Sequence, residues 1–279
     1  MASNLPHFER PPVVEVAISL QFNPLEKLRS PHLGLLWERF RSEGLPITED
    51  HGELEPAFEE LEAKGSPRVR VRLQTFDDAP PLPRVWFLNE AKTELVQFQR
   101  DRLVVNWRQG ARPEPYPRYG SIIARFKLAL DILQNFAATE KLGSITPTQG
   151  EVTYVNHILA GEGWSVHADI DKVITFWKSN YSEPYLPRPE DVSFQTRFLM
   201  TDKLGVPLGR LHVELQSAYR SIDKHPIFVL NLNARGAPRS PDFESTFQLF
   251  DAEHEWIVRG FPSLTERKMH EIWRRTDVS

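Results

Sequence analysis

The chain has 279 residues, 40% of them apolar and 26% charged, which is material for one large packed domain or two ordinary ones. Its net charge of −4 excludes steering of the whole molecule towards nucleic acid or anionic membrane, so any such partner has to meet a local patch. Cysteine is absent, which excludes disulfides, thiolate zinc sites and a cysteine nucleophile, and fits a reducing compartment; the cytoplasm is the expected location.

The first ten residues hold no apolar run, so no secretory signal is expected. No stretch approaches the roughly 20 apolar residues of a membrane span, and no membrane partner is expected. After Pro11-Pro12, the β-branched run Val13-Val14-Glu15-Val16-Ala17-Ile18 predicts a strand continuing to Phe22. Ser30 as N-cap, Pro31 in the first turn and the stripe Leu33, Leu36, Trp37 and Phe40 predict a short helix. Residues 45–64 carry Glu49, Asp50, Glu53, Glu55, Glu59, Glu60 and Glu62 and read as a solvated acidic loop with a single helical turn.

Strand signals then crowd together. Residues 68–74 alternate strictly between Arg68, Arg70, Arg72 and Val69, Val71, Leu73. Further strands are expected over 84–88, 94–98 and 102–108, with hairpin turns at Asn89-Glu90-Ala91-Lys92 and Arg100-Asp101. Tyr119, Ile122, Ile123, Phe126, Leu130, Leu133 and Phe136 recur at helical spacing and predict a long amphipathic helix.

The second half repeats the order. A strand is expected over 150–158, then a helix capped by Asp169 and carrying Ile170, Val173, Ile174 and Trp177. Strands follow over 192–200, 209–216 and 227–233, the first two joined by Asp202-Lys203-Leu204-Gly205. Phe243, Phe247, Phe250, Ile257 and Phe261 mark a second long helix, and Ser263-Leu264-Thr265-Glu266 has capping-box spacing for a final short helix ending near Trp273. Strand, short helix, meander and long helix thus occur twice, which suggests an internal duplication with lobes at 1–143 and 144–279. The expected fold is α+β: two pseudo-repeated lobes, each a curved antiparallel sheet with a long amphipathic helix on one face. Joined edge to edge, they would make a saddle like that of TATA-box-binding proteins in architecture, an analogy that carries no function.

Several of these residues also carry a likeness. Pro11-Pro12-Val13-Val14-Glu15, the segment Gln97, Gln99, Asp101, Arg102, Asn106, Trp107 and Arg108, the Tyr116-Pro117 step before Tyr119, and the ending Phe261, Leu264, Thr265, His270 and Trp273 resemble a sporadically distributed, uncharacterised family of bacterial proteins. The resemblance implies a bacterial source and brings no assigned activity, cofactor or catalytic residue.

No motif carries chemistry. Phosphate loops of the GxxxxGK[ST] kind, dinucleotide GxGxxG turns, GxSxG elbows and HExxH pairs are all missing, so no catalytic residue, cofactor or metal is expected. His212 and Glu214 share a strand face and read as solvated; His254 falls on the apolar stripe of the last long helix and reads as a packing residue with a hydrogen bond; His270 reads as a helix C-terminal cation.

Strand alternation singles out one surface. If Val69, Val71 and Leu73 face the long helix, Arg68, Arg70 and Arg72 face away, and drying three guanidinium groups costs several kcal/mol each, so that face is open or meets an acidic partner. In the second half Leu211, Val213 and Leu215 look inwards, while Arg210, His212, Glu214 and Gln216 look out, beside Asn231 and Asn233. Gln97 and Gln99 share one face of their strand, and Asn106 and Arg108 one face of the next with Trp107 opposite. The candidate partner-binding residues are therefore Arg68, Arg70, Arg72, Gln97, Gln99, Asn106, Arg108, Arg210, His212 and Glu214. The competing reading is structural: exposed arginines solubilise a sheet, and Asn106 and Arg108 tie down strand ends.

The favoured function is a non-enzymatic interaction module for a protein or peptide partner, in a bacterial accessory or defence locus. Nucleic-acid binding along the polar face, with Trp86 for stacking, is the runner-up. The third reading is an enzyme with a dispersed site around His212, Glu214 and Asn231. Association with a second copy of the chain is left open.

Overall fold

The computed structural model describes residues 5–59, 61, 82–111, 114–178 and 185–276. The strand expected over 68–74, with Arg68, Arg70 and Arg72, lies outside them. The class is α+β: the described residues form one large antiparallel sheet of nine strands with helices on one face.

The first strand, β1 (Val13–Phe22), is followed by helix α1 (Ser30–Ser42) and strands β2 (Ile47–His51), β3 (Arg84–Leu88), β4 (Glu94–Gln99) and β5 (Arg102–Arg108). Helix α2 (Arg118–Thr139) closes the first half. The second half runs β6 (Pro147–Leu159), a 3₁₀ turn (His167–Lys172), β7 (Ser193–Thr201), β8 (Pro207–Tyr219), β9 (Pro226–Gly236), α3 (Phe243–Leu264) and α4 (Arg267–Ile272). Across the sheet the order is β2-β3-β4-β5-β1-β6-β9-β8-β7. Each opening strand pairs with the last strand of its own meander, β1 with β5 and β6 with β9, and β1 and β6 pair with each other to make the sheet continuous.

The apolar half of each alternation faces the helices. Val16, Ile18 and Leu20 of β1, Val152 and Tyr154 of β6, Leu211, Val213 and Leu215 of β8, and Phe228, Leu230 and Leu232 of β9 are buried there against Phe126, Leu130 and Leu133 of α2 and Phe250 and Ile257 of α3. A row of glycines lets backbones approach closely, Gly150 beneath α3 and Gly209 and Gly236 between neighbouring strands. Gly150, Gly236 and Gly209 are cross-strand neighbours on β6, β9 and β8. A Cβ at Gly150 would sit 3.0 Å from Leu249 and Phe250 of α3, and one at Gly209 would collide with the carbonyl of Arg235.

Four local expectations are corrected. Residues 47–51 form the edge strand β2 within the supposed acidic loop, because its alternating half-exposed side chains pair backbone to backbone with β3 without an apolar stripe. Asp169 does not open a helix but sits inside the 3₁₀ turn, where its carboxylate accepts from the backbone amides of Ser165 (2.9 Å) and Val166 (3.3 Å). Arg29, not Ser30, is the N-cap of α1. The Ser263–Glu266 box does not start the last helix: Ser263 and Leu264 still belong to α3, and Glu266 is the N-cap of α4.

Candidate functional site

The face of the sheet opposite the helices is polar and is crossed by residues 52–59, the stretch that leaves β2. Cross-strand register builds the floor beneath them. Gln99 at the end of β4 is opposite Arg102 at the start of β5, Arg102 is opposite Gln21 at the end of β1, and Gln21 is opposite Gln149 at the start of β6. Partners in an antiparallel sheet point to the same side, so these four side chains form a row at right angles to the strands.

The row reads the backbone of the crossing segment. Leu54 donates its N–H to Gln99 Oε1 (2.9 Å), and Gln99 Nε2 donates back to the Leu54 carbonyl (3.0 Å). Ala57 donates to Gln21 Oε1 (3.0 Å), Glu59 donates to Gln149 Oε1 (3.2 Å), and an Arg102 guanidinium nitrogen bridges the Glu55 carbonyl (3.0 Å) and Gln21 Oε1 (2.7 Å). The spacing is that of an extended peptide. Three extended residues from Leu54 to Ala57 span about 10 Å, which matches the two strand spacings from β4 to β1.

The segment ends in a charge cluster. The Glu59 carboxylate, its side chain 7% exposed, is paired with Arg210 of β8, with His212 Nε2 at 2.9 Å, and with Arg235 Nε of β9 at 3.4 Å. Arg235 also reaches Glu151 of β6 at 3.6 Å. Burial alone would raise the Glu59 pKa, but the hydrogen bonds from His212 and Arg210 and the charges of His212 and Arg235 outweigh it and hold the group down to about 2. Arg102 is nearly buried, and desolvation lowers its pKa despite the nearby carboxylates of Glu151 and Asp101.

The sequence-derived candidates divide. Gln99, Arg210 and His212 all engage residues 52–59, so the outward direction expected for Arg210 and His212 holds, but that part of the face is covered by the chain itself rather than open. Gln97 and Asn106 meet each other: Gln97 Nε2 donates to Asn106 Oδ1 (2.8 Å), and Asn106 Nδ2 donates to Glu15 (2.6 Å). Arg108 Nε donates to the Lys92 carbonyl (2.6 Å) in the β3–β4 turn, and its guanidinium lies 5.9 Å from the Trp86 ring centroid. Trp86 is itself stacked under His51 at 3.9 Å. Glu214 accepts from Gln195 (3.0 Å) and Gln216 (2.6 Å) and lies opposite Asn231, while His212 is paired with Glu59. Arg68, Arg70 and Arg72 lie outside the described residues.

Sequence reasoning missed Gln21, Arg102, Gln149, Arg235 and Glu59 as members of one constellation. Their shared signal was weak: each glutamine is a long polar residue at a strand end, on the outward beat of an apolar alternation.

Two further polar groups sit on the helix side. Tyr116 and Tyr154 share a hydroxyl hydrogen bond of 2.8 Å, Tyr154 bonds His254 Nδ1 at 3.0 Å, and Tyr119 stacks on the His254 ring at 3.9 Å. Burial pushes Tyr116 up to about 12 and His254 down to about 4, so both groups are neutral near pH 7, as a packing role requires. His270 lies in the last turn of α4, as expected, where it is buried and hydrogen-bonded to Thr265 Oγ1 at 2.8 Å.

Among the described residues no group of three or more His, Asp or Glu side chains is placed to hold a metal ion, and no helix is long and apolar enough to cross a membrane. No protein-family model, curated protein or solved structure matches the chain.

Proposed function

We propose that the chain is a protein-interaction module that holds an extended segment of a partner across the polar face of its sheet. The observation that carries the reading is the transverse row Gln99, Arg102, Gln21 and Gln149, which bonds main-chain groups of residues 52–59 and so recognises peptide backbone irrespective of sequence. The interspersed carboxylates of Glu15, Glu151 and Glu214 make the face mixed in charge, which suits peptide better than a phosphate backbone.

The order β3-β4-β5-β1, mirrored by β7-β8-β9-β6 across the β1–β6 junction with β2 added at one edge, supports reading the halves 1–143 and 144–279 as duplicated lobes of a saddle, with the glutamine row crossing their junction. A cytoplasmic, bacterial module encoded in an accessory or defence locus is the setting that fits the lack of cysteine and the family resemblance. Co-purification with the products of neighbouring genes tests the function. A partner that is lost when Gln21 and Gln99 are both changed to Ala supports it. A chain that stays alone at micromolar concentration with every such product contradicts it.

A further inference from the structure

We propose that Arg210, His212 and Arg235 form an anchor for an acidic side chain of the incoming extended peptide, and that Glu59 occupies this anchor as an intramolecular competitor. The proposal rests on the peptide-binding reading above and adds the chemical class of ligand and the means of its control.

Charge demands an anion at this place. Arg210 and Arg235 are cross-strand partners on β8 and β9, each side chain only about one-fifth exposed (20% and 21%). Glu151 reaches Arg235 at 3.6 Å, and Glu59 is the carboxylate that Arg210, His212 and Arg235 share. Removing Glu59 takes the shared anion from a poorly hydrated positive site, and the ligand that best restores balance is another carboxylate held by the same fork of donors. The row fixes where that carboxylate must lie. It belongs two residues after the position whose amide meets Gln21, at the place where Gln149 takes the next amide.

The occupant is attached in a way that lets it leave. No side chain of residues 52–59 belongs to the hydrophobic core, and Phe58 is 49% exposed. The segment is held by hydrogen bonds to side chains, by the Glu59 anchor and by the half-buried Leu54, Pro56 and Ala57, so its departure takes no fully buried side chain out of the core, the burial that normally makes a segment permanent. A competitor tethered to its own site lowers apparent affinity for a free peptide by its effective concentration, which gives control without a second domain.

The test uses the intact chain and an acetylated, amidated, fluorescently labelled peptide Gly-Glu-Leu-Glu-Pro-Ala-Phe-Glu, the sequence of residues 52–59. Anisotropy titrations compare the wild type, Glu59→Gln, and Glu59→Gln combined with Gln21→Ala and Gln149→Ala. The expected result is binding at least tenfold tighter to Glu59→Gln than to the wild type, lost when the peptide's final Glu is replaced by Gln, and lost again in the triple variant. Equal affinity for the final-Gln peptide, with glutamine dependence retained, overturns the anchor while leaving the peptide-binding reading intact; no binding to any chain overturns both. Should Glu59→Gln melt at much lower temperature, native-state hydrogen exchange of the wild type decides instead. The Leu54, Ala57 and Glu59 amides must then open at least tenfold more often than their β1 and β6 neighbours, and equal opening defeats the competitor.

Discussion

The side-chain amide of Gln99 bonds Leu54 as a neighbouring strand would, accepting from its N–H at 2.9 Å and donating to its carbonyl at 3.0 Å. A strand lying across a sheet cannot use the backbone ladder, and glutamine side chains raised from the strand ends supply the missing donors and acceptors. Gln99→Ala removes both bonds and is expected to weaken docking of residues 52–59 by about 1–2 kcal/mol. Global stability in urea should change much less, because the segment buries no core side chain. Hydrogen exchange at Leu54 alongside a urea titration checks the split.

Glu59 gives this docking an acid limit. Its folded pKa of about 2 lies below the ordinary 4.5, so the folded state binds fewer protons than the unfolded one between those values. The stabilisation is complete above about pH 4.5 and is lost as pH falls through about 2. Carbon-detected NMR titration of the Glu59 carboxyl should return a midpoint well below those of exposed glutamates; an ordinary midpoint speaks against the clamp.

His254 sets a second limit on the opposite face. Burial depresses its pKa to about 4 from 6.5, so between these values the unfolded chain takes up a proton that the folded chain refuses. The contribution is fully present above pH 6.5 and is lost as pH falls towards 4, with a ceiling on the order of 3 kcal/mol. His254→Phe should make thermal stability between about pH 7.5 and 5 flatter than in the wild type. A parallel fall in both proteins would show that His254 is not the titrating group.

Glu253 behaves in the reverse sense. It is fully buried on α3, neither carboxylate oxygen makes a hydrogen bond of ordinary geometry, and burial first, then the Glu151 charge, raise its pKa well above 4.5. A raised carboxyl favours folding only below its unfolded value and costs stability as pH climbs. Glu253→Met, of similar volume, is therefore expected to raise the melting temperature, more at about pH 8 than at about pH 5, through a gain in the range of about 1–3 kcal/mol. A lower melting temperature at the alkaline end would mean that the carboxyl has a partner.

The glycine seam is intolerant. Gly209→Ala pushes a methyl into the backbone carbonyl of Arg235, and no rotamer change relieves a backbone collision. A loss of about 3 kcal/mol or more is expected, measured by urea unfolding, against a small effect for Gly120→Ala on α2, where a Cβ meets nothing within 4 Å.

Much of the fold was legible because alternation and helical spacing are local signals. Such positions need only their own neighbours in sequence: Leu211, Val213 and Leu215 announce one buried face, and Phe126, Leu130 and Leu133 one buried stripe. The strand β2 was hidden because an edge strand of Ile47-Thr48-Glu49-Asp50-His51 is half exposed and needs no apolar pattern. The site was harder still. Glu59 meets His212 across 153 residues of sequence, and Gln149 takes the Glu59 amide across 90, so no short window along the chain contains both partners. What the sequence did carry was the outward direction of Arg210 and His212; what it could not carry was that the chain folds back over them and over Gln99.

Amide hydrogen exchange of Leu54, Ala57 and Glu59 in the wild type and in a Gln21→Ala, Gln99→Ala, Gln149→Ala chain reaches the heart of the matter. If the polar face reads peptide backbone, these three amides are protected in the wild type and exposed in the variant, while the β1 and β6 amides stay protected in both. Unprotected amides in the wild type, or protection that survives loss of the glutamines, would mean that the face does not hold a peptide in this way.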